Sequence, residues 1–235
     1  MTTVSKRRGQ PDVLELPNYS PAEAARYFHI PFSTLDYWTK GNDPIVHLAS
    51  SRPRLLSFKN LVELYVLEGL RNIHGLHLPA IRAAVEDLLT HEHSRHPLAD
   101  FELSTLNRRD IVFRRGSKIV NSSLGGQYEI PEWTTPYLRR VDRDIYGSAH
   151  KIFPFLTRSQ MKASAEPPKT IVIDPTVCFG SPVLSGTRIT TGFLASRYRG
   201  GDSIVAIASS YDRPLAEVKE VIEWETGKKI RQQAA

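Results

Sequence analysis

A chain of 235 residues, 40% of them apolar, is long enough for one large or two to three small domains. No run approaches the roughly 20 apolar residues of a membrane span, and the polar start Ser5-Lys6-Arg7-Arg8 has no apolar signal-peptide core behind it. A lone Cys178 excludes an internal disulfide, so the expected compartment is the reducing cytoplasm. The net charge of +6 divides into +2 over residues 1–75, +3 over 76–169 and +1 over 170–235. No segment is cationic enough to make nucleic-acid binding the default, and any DNA contact must rest on a few placed Arg and Lys.

Residues 1–16 are polar and aperiodic, which predicts a flexible arm. At Ser20-Pro21-Ala22-Glu23 a helix opens: Ser20 caps, Pro21 takes the first position and Glu23 closes a capping box. His29-Ile30-Pro31-Phe32 breaks it, and Ser33 is the expected cap of a second short helix, Thr34 to Trp38, ending near Lys40-Gly41. Turn formers, then Ile45 to Leu48 and Ser51 to Leu56, predict a small two-stranded wing with Arg52 and Arg54 exposed. Ser57 caps a longer helix with Phe58, Leu61, Val62, Leu64, Tyr65 and Leu67 as core candidates, and Leu78-Pro79 opens another with Ile81, Val85, Leu88 and Leu89 inward.

That order of elements, with Tyr19 to Ala25, Thr34 to Trp38 and Leu56-Ser57-Phe58, resembles the winged helix-turn-helix domain of the MerR superfamily over residues 17–96. The resemblance implies DNA contacts from Ser33, Thr34, Tyr37 and Lys40, joined by Arg52 and Arg54 of the wing. One position departs from it. The superfamily commonly carries Arg before the Tyr that faces DNA, where this chain has Asp36. A carboxylate there repels phosphate unless it accepts from a cytosine amino group or pairs with a neighbouring Arg.

Residues 97–156 change to short β segments, Phe101–Leu103, Ile111–Phe113, Lys118–Val120 and Tyr128–Ile130, separated by turn formers, which argues for an antiparallel meander. A helix is expected from Pro131 to about Ile145, and a linker at 157–169 containing Glu166-Pro167-Pro168. Residues 170–227 then read as a compact helical unit. Gly180, Pro182 and Gly186 mark tight turns. Thr190 or Thr191 caps a helix stopped by Gly200-Gly201, Asp202 is the expected cap of a second, and Pro214 opens a third with Leu215, Val218, Val221 and Ile222 on one face. Leu194, Ile204, Ile207, Val218, Val221 and Trp224 are its expected core, and residues 228–235 form a basic tail. The fold class is mainly α with a small antiparallel β region (α+β).

The segment Gly180-Ser181-Pro182-Val183-Leu184-Ser185-Gly186-Thr187-Arg188, with the downstream Gly-Asp-Ser and Val-x-x-Val-Ile-x-Trp patterns, closely resembles the small domain of VapB-like bacterial antitoxins. The resemblance implies a PIN-domain ribonuclease toxin as partner. Partner contacts are expected from Arg188, Lys228, Lys229 and Arg231, and further DNA contacts from Arg213 and Lys219. Arg188 is read first as a structural residue pinning a carboxylate such as Asp174, and second as a partner contact.

Enzyme chemistry finds little support. In His91-Glu92-His93-Ser94-Arg95-His96 the histidine spacings of two and three do not match the four of a zinc-protease helix, so no metal is expected. The scattered aspartates do not converge as a nuclease needs, and no cofactor fingerprint is present. The expected protein is a non-enzymatic, homodimeric cytoplasmic antitoxin binding a PIN-domain ribonuclease and its own operator DNA. The alternative is a free-standing MerR-like transcription regulator whose middle β region senses a small molecule.

Overall fold

The computed structural model describes residues 12–41, 43–72, 75–91, 93–101, 103–106, 110–115, 118–121, 127–128, 138–144, 147–162 and 167–230. The expected arm up to residue 11, the first part of the helix expected from Pro131, and Arg231 lie outside them.

Helix α1 (Pro21–Tyr27) begins as its sequence requires: Ser20 accepts from the Glu23 N–H and Glu23 reaches back to the Ser20 backbone. Helix α2 (Phe32–Thr39) starts two residues earlier than expected, with Pro31 in the cap position and no side-chain cap. Ser33 is therefore an exposed helical residue and not a cap. The hairpin β1 (Ser50–Ser51) and β2 (Arg54–Leu55) follows, and Tyr19 pairs with Leu56 beside it. Helix α3 (Phe58–Asn72) is buried almost all round, as expected of a helix surrounded by other elements. Ser57 accepts from the Asn60 N–H at its start. Helix α4 (Leu78–His91) and the short α5 (Pro97–Asp100) pack near it. The latter is a turn of helix where β structure was expected to begin.

The meander is a four-stranded antiparallel sheet, β3 (Leu103–Leu106), β4 (Asp110–Arg115), β5 (Lys118–Asn121) and β6 (Gln127–Tyr128), in sequential order. Where the second half of the expected 131–145 helix would lie, the chain instead makes a 3-10 turn at Leu138–Arg140 and a strand β7 (Val141–Arg143), paired with β8 (Ala149–Ile152). The strand pattern won because Val141 and Ile152 are both buried opposite each other.

Strands β9 (Ile171–Val172) and β10 (Val183–Leu184) form a hairpin, and helices α6 (Thr191–Arg199), α7 (Ile204–Ser210) and α8 (Leu215–Thr226) complete the chain. Thr190 caps α6 and Ser203, not Asp202, caps α7. Asp202 is instead held by Arg197 at 2.6 Å. α6 and α7 both pack on α8, burying Leu194, Ile207, Val218, Val221 and Trp224, with Ile204 partly buried against them.

One hydrophobic core runs from α1 through α3 and β8 to α8. Ile152 and Ile173 exchange backbone hydrogen bonds at 3.1 and 2.9 Å, and the ring of Tyr27 stacks on Trp224 with centroids 5.3 Å apart. Arg140 is fully buried and donates to the carbonyls of Phe153, Pro154, Pro167 and Pro168, which fixes the end of the expected linker against β8. Its guanidinium also covers the Phe155 ring at 4.5 Å.

Candidate functional site

The β9–β10 hairpin carries a long turn that departs from ordinary backbone geometry. Asp174 starts it, its carboxylate accepting from the Thr176 N–H at 2.9 Å and the Thr176 hydroxyl at 2.6 Å. Three successive residues then take left-handed conformations, with φ of 46° at Cys178, 54° at Phe179 and 77° at Gly180. Only the glycine does so without steric cost. Such strain persists where the surroundings over-determine it, and here they do. The Asn18 amide donates to the Phe179 carbonyl at 2.6 Å, the Tyr19 hydroxyl donates to the Gly180 carbonyl at 3.1 Å, and the Cys178 thiol donates to the Arg188 carbonyl at 3.4 Å. Burial, helped by the charges of Glu23 and Asp174 and opposed by the Asn18 hydrogen bond, leaves the Tyr19 phenol pushed up to about 12, so it stays a donor.

The clamp presents the Phe179 ring to solvent, 92% exposed. Beside it lies the second turn, Ser185 to Arg188. Gly186 sits at φ 76° with open space around its Cα, and Thr187 donates to the Leu184 carbonyl and accepts from the Ile189 N–H. The Gly-Thr part of the segment thus shapes the turn. Arg188 does not: its side chain is exposed and makes no ion pair among the described residues. Asp174 is matched by Lys151 at 3.6 Å. The structural reading of Arg188, favoured from sequence, is therefore corrected; its backbone is held and its guanidinium is free to meet something else. Cys178 is partly buried against Phe153, Val172 and Val183, as a small apolar group.

A second candidate surface lies on α2. Ser33, Asp36, Tyr37 and Lys40 share a shallow depression with Asp43 and Arg82, and Tyr37 is 60% exposed. Asp36 bridges Lys40 at 2.7 Å and Arg54 at 2.8 Å, and Arg54 also donates to the Thr39 hydroxyl. The hydrogen bonds from Lys40, then from Arg54, hold the Asp36 carboxyl below its ordinary range. Two expected phosphate ligands are thereby matched internally. Thr34 is half-buried next to this group, and Arg52 stands exposed at the tip of the wing. Arg213 and Lys219 fall outside it, on or beside α8, each facing a glutamate one turn on: Glu217 at 2.7 Å and Glu223 at 3.9 Å. Lys228 and Lys229 are exposed just beyond α8.

Sequence reasoning missed Phe179 and the buried group below α3. Glu63 accepts from Asn60 at 3.0 Å and pairs with the ring of His96 at 3.1 Å. Burial pushes the Glu63 carboxyl up. At His96 burial disfavours the imidazolium, but the hydrogen bond and charge of Glu63 outweigh it and the net direction is upward. No set of three or more His, Cys, Asp or Glu converges for a metal ion among the described residues, and no helix there is long and apolar enough to cross a membrane.

Residues 171–224, which hold both turns, match a family described as "Protein of unknown function (DUF433)". Over nearly its whole length the chain is 24% identical to a Mycobacterium tuberculosis protein named "Putative antitoxin VapB45", covering 89% of this chain and 94% of that one. It is 23% identical to "Uncharacterized protein Rv2308" of the same organism, covering 90% and 91%. The crystal structure of Rv2018 from Mycobacterium tuberculosis shares the fold, with a TM-score of 0.59 and 18% identity over 88% of this chain and 98% of that one.

Proposed function

We propose that this chain is the antitoxin of a toxin–antitoxin pair, that it neutralises a PIN-domain ribonuclease by direct binding, and that as a homodimer it binds its own operator DNA. The observation that carries the first part is Phe179. A fully presented aromatic on a strained, clamped turn suits a protein-binding hot spot, because the backbone that carries the ring is already held and docking costs only the ring's own rotamer freedom. Arg188 beside it supplies a cation for an acidic partner surface, such as the carboxylate-lined active site of a metal-dependent ribonuclease. The near full-length similarity to a protein named as an antitoxin supports the same reading.

The DNA-binding part rests on α1, α2 and the wing, whose order resembles the MerR superfamily, with Ser33, Thr34, Tyr37 and Arg52 as direct contacts and Lys40 and Arg54 tempered by Asp36. Weak net charge on this face makes DNA binding dependent on two copies reading two half-sites. Co-expression with the neighbouring reading frame tests the toxin-binding part: the two products should co-purify, and Phe179→Ala should weaken their association at least tenfold while leaving the melting temperature unchanged. Recovery of the chain alone would overturn it.

A further inference from the structure

Between the α1–α2 turn, the segment 156–160 and the C-terminal end of α8 lies a cleft of about 780 Å³, within the usual range of small-molecule sites. Its apolar wall is made by Ala25, Ile30, Pro31, Leu156 and Trp224.

The charges around it are unevenly committed. Of the acidic groups, Glu225 is held by Arg26 at 2.5 Å and by the Thr191 hydroxyl, and Glu223 accepts from the Ile230 N–H at 2.7 Å. Glu220 receives the Thr170 hydroxyl at 3.4 Å. Of the cations, Arg158 donates to the neutral carbonyl of His29, while Lys228 and Lys229 are exposed and make no ion pair among the described residues. Arg26 and Glu225 offset each other, and Arg158, Lys228 and Lys229 outnumber Glu220 and Glu223, so the rim carries a small positive excess beside the apolar wall.

The wall also holds an unsatisfied donor. Trp224 is 4% exposed, and its indole Nε1–H has no acceptor among the described residues. Its ring is covered by Tyr27 and by the Arg26 guanidinium, 5.4 Å from its centroid. A buried indole N–H ordinarily finds a partner, and leaving one unmade is costly.

We infer that this cleft binds a small anionic compound with a flat apolar body, its acid group meeting Arg158, Lys228 and Lys229 and its body lying against Trp224 and the other apolar wall residues. The inference is independent of the antitoxin reading. Because the walls come from both the N-terminal helices and α8, such a ligand would bridge the two ends of the chain.

The probe is 8-anilinonaphthalene-1-sulfonate, which has this chemistry, added to the full folded chain. Expected is saturable 1:1 binding with tryptophan-to-probe energy transfer that drops in Trp224→Phe. Combining Arg158→Gln, Lys228→Gln and Lys229→Gln should weaken binding at least tenfold with an unchanged melting temperature, and neutral N-phenylnaphthylamine should bind at least tenfold more weakly. Non-saturable binding, or equal affinity in the triple variant, would overturn the inference.

Discussion

At Asp36 the chain carries a negative charge where a DNA-facing helix would be expected to avoid one, and the structure gives the reason it is tolerated: Lys40 and Arg54 close on it. If α2 meets DNA, this carboxylate restrains two phosphate ligands. Asp36→Ala should then tighten operator binding and steepen the dependence of log K on log salt by about 0.9 for each cation released to a phosphate. Titrations at several salt concentrations check this; an unchanged slope would place the DNA surface elsewhere. A second residue-scale expectation concerns His96. Its unfolded value lies near 6.5, and its folded value is raised by Glu63. A base with a raised folded value contributes stability that is fully present below the unfolded value and lost as pH rises through the folded one. Thermal melts of wild type and His96→Gln should accordingly differ most below about pH 6.5 and converge in alkaline buffer. A gap that widens with pH would contradict the pairing. Neither group was legible in the sequence, because a glutamate inside an apolar helix pattern reads as its solvated face; only the burial of α3 on every side puts Glu63 opposite His96.

Among the elements, the helices were the most legible. The capping box at Ser20-Glu23, the Ser57 cap and the 3.6-residue spacing of Val218, Val221 and Ile222 are local signals, and local signals fix helices. The errors fall where one local signal competes with another, or where a contact between separate strands overrides the local pattern. Pro31 displaced Ser33 as the start of α2, Asp202 was taken by Arg197, and the stretch after Leu138 became a 3-10 turn and a strand because Val141 is buried opposite Ile152. The β9–β10 turn combines both kinds. Gly180 and Gly186 announced left-handed backbone, yet nothing local shows that Asn18 and Tyr19, some 160 residues earlier, hold the first of them. A Cβ at Gly180 would lie 2.1 Å from the Tyr19 hydroxyl, whereas one at Gly186 would meet nothing. Gly180→Ala should therefore cost more than Gly186→Ala, whose penalty is conformational strain of about 1 kcal/mol. Adding Tyr19→Phe to Gly180→Ala should recover part of the loss, seen as a favourable coupling in a denaturant double-mutant cycle. Strict additivity would contradict the clamp.

For the whole molecule, composition marks a change at 157–169, but the core passes across it, through the Ile152–Ile173 pairing, the Tyr27–Trp224 stack and the buried Arg140. Long-range packing of this kind leaves no periodic trace in a single sequence. Its consequence is that the turn presenting Phe179 is braced by Asn18 and Tyr19, which lie just before α1 in the N-terminal half. The central claim is neutralisation by direct binding through that turn. Its most direct test is RNA cleavage by the purified product of the neighbouring reading frame, titrated with the full chain. Cleavage should fall linearly to zero at a fixed stoichiometric ratio, and Phe179→Ala should raise the concentration required at least tenfold without lowering the melting temperature. Abolition of cleavage by sub-stoichiometric chain, or full inhibition by Phe179→Ala at the wild-type ratio, would contradict the account.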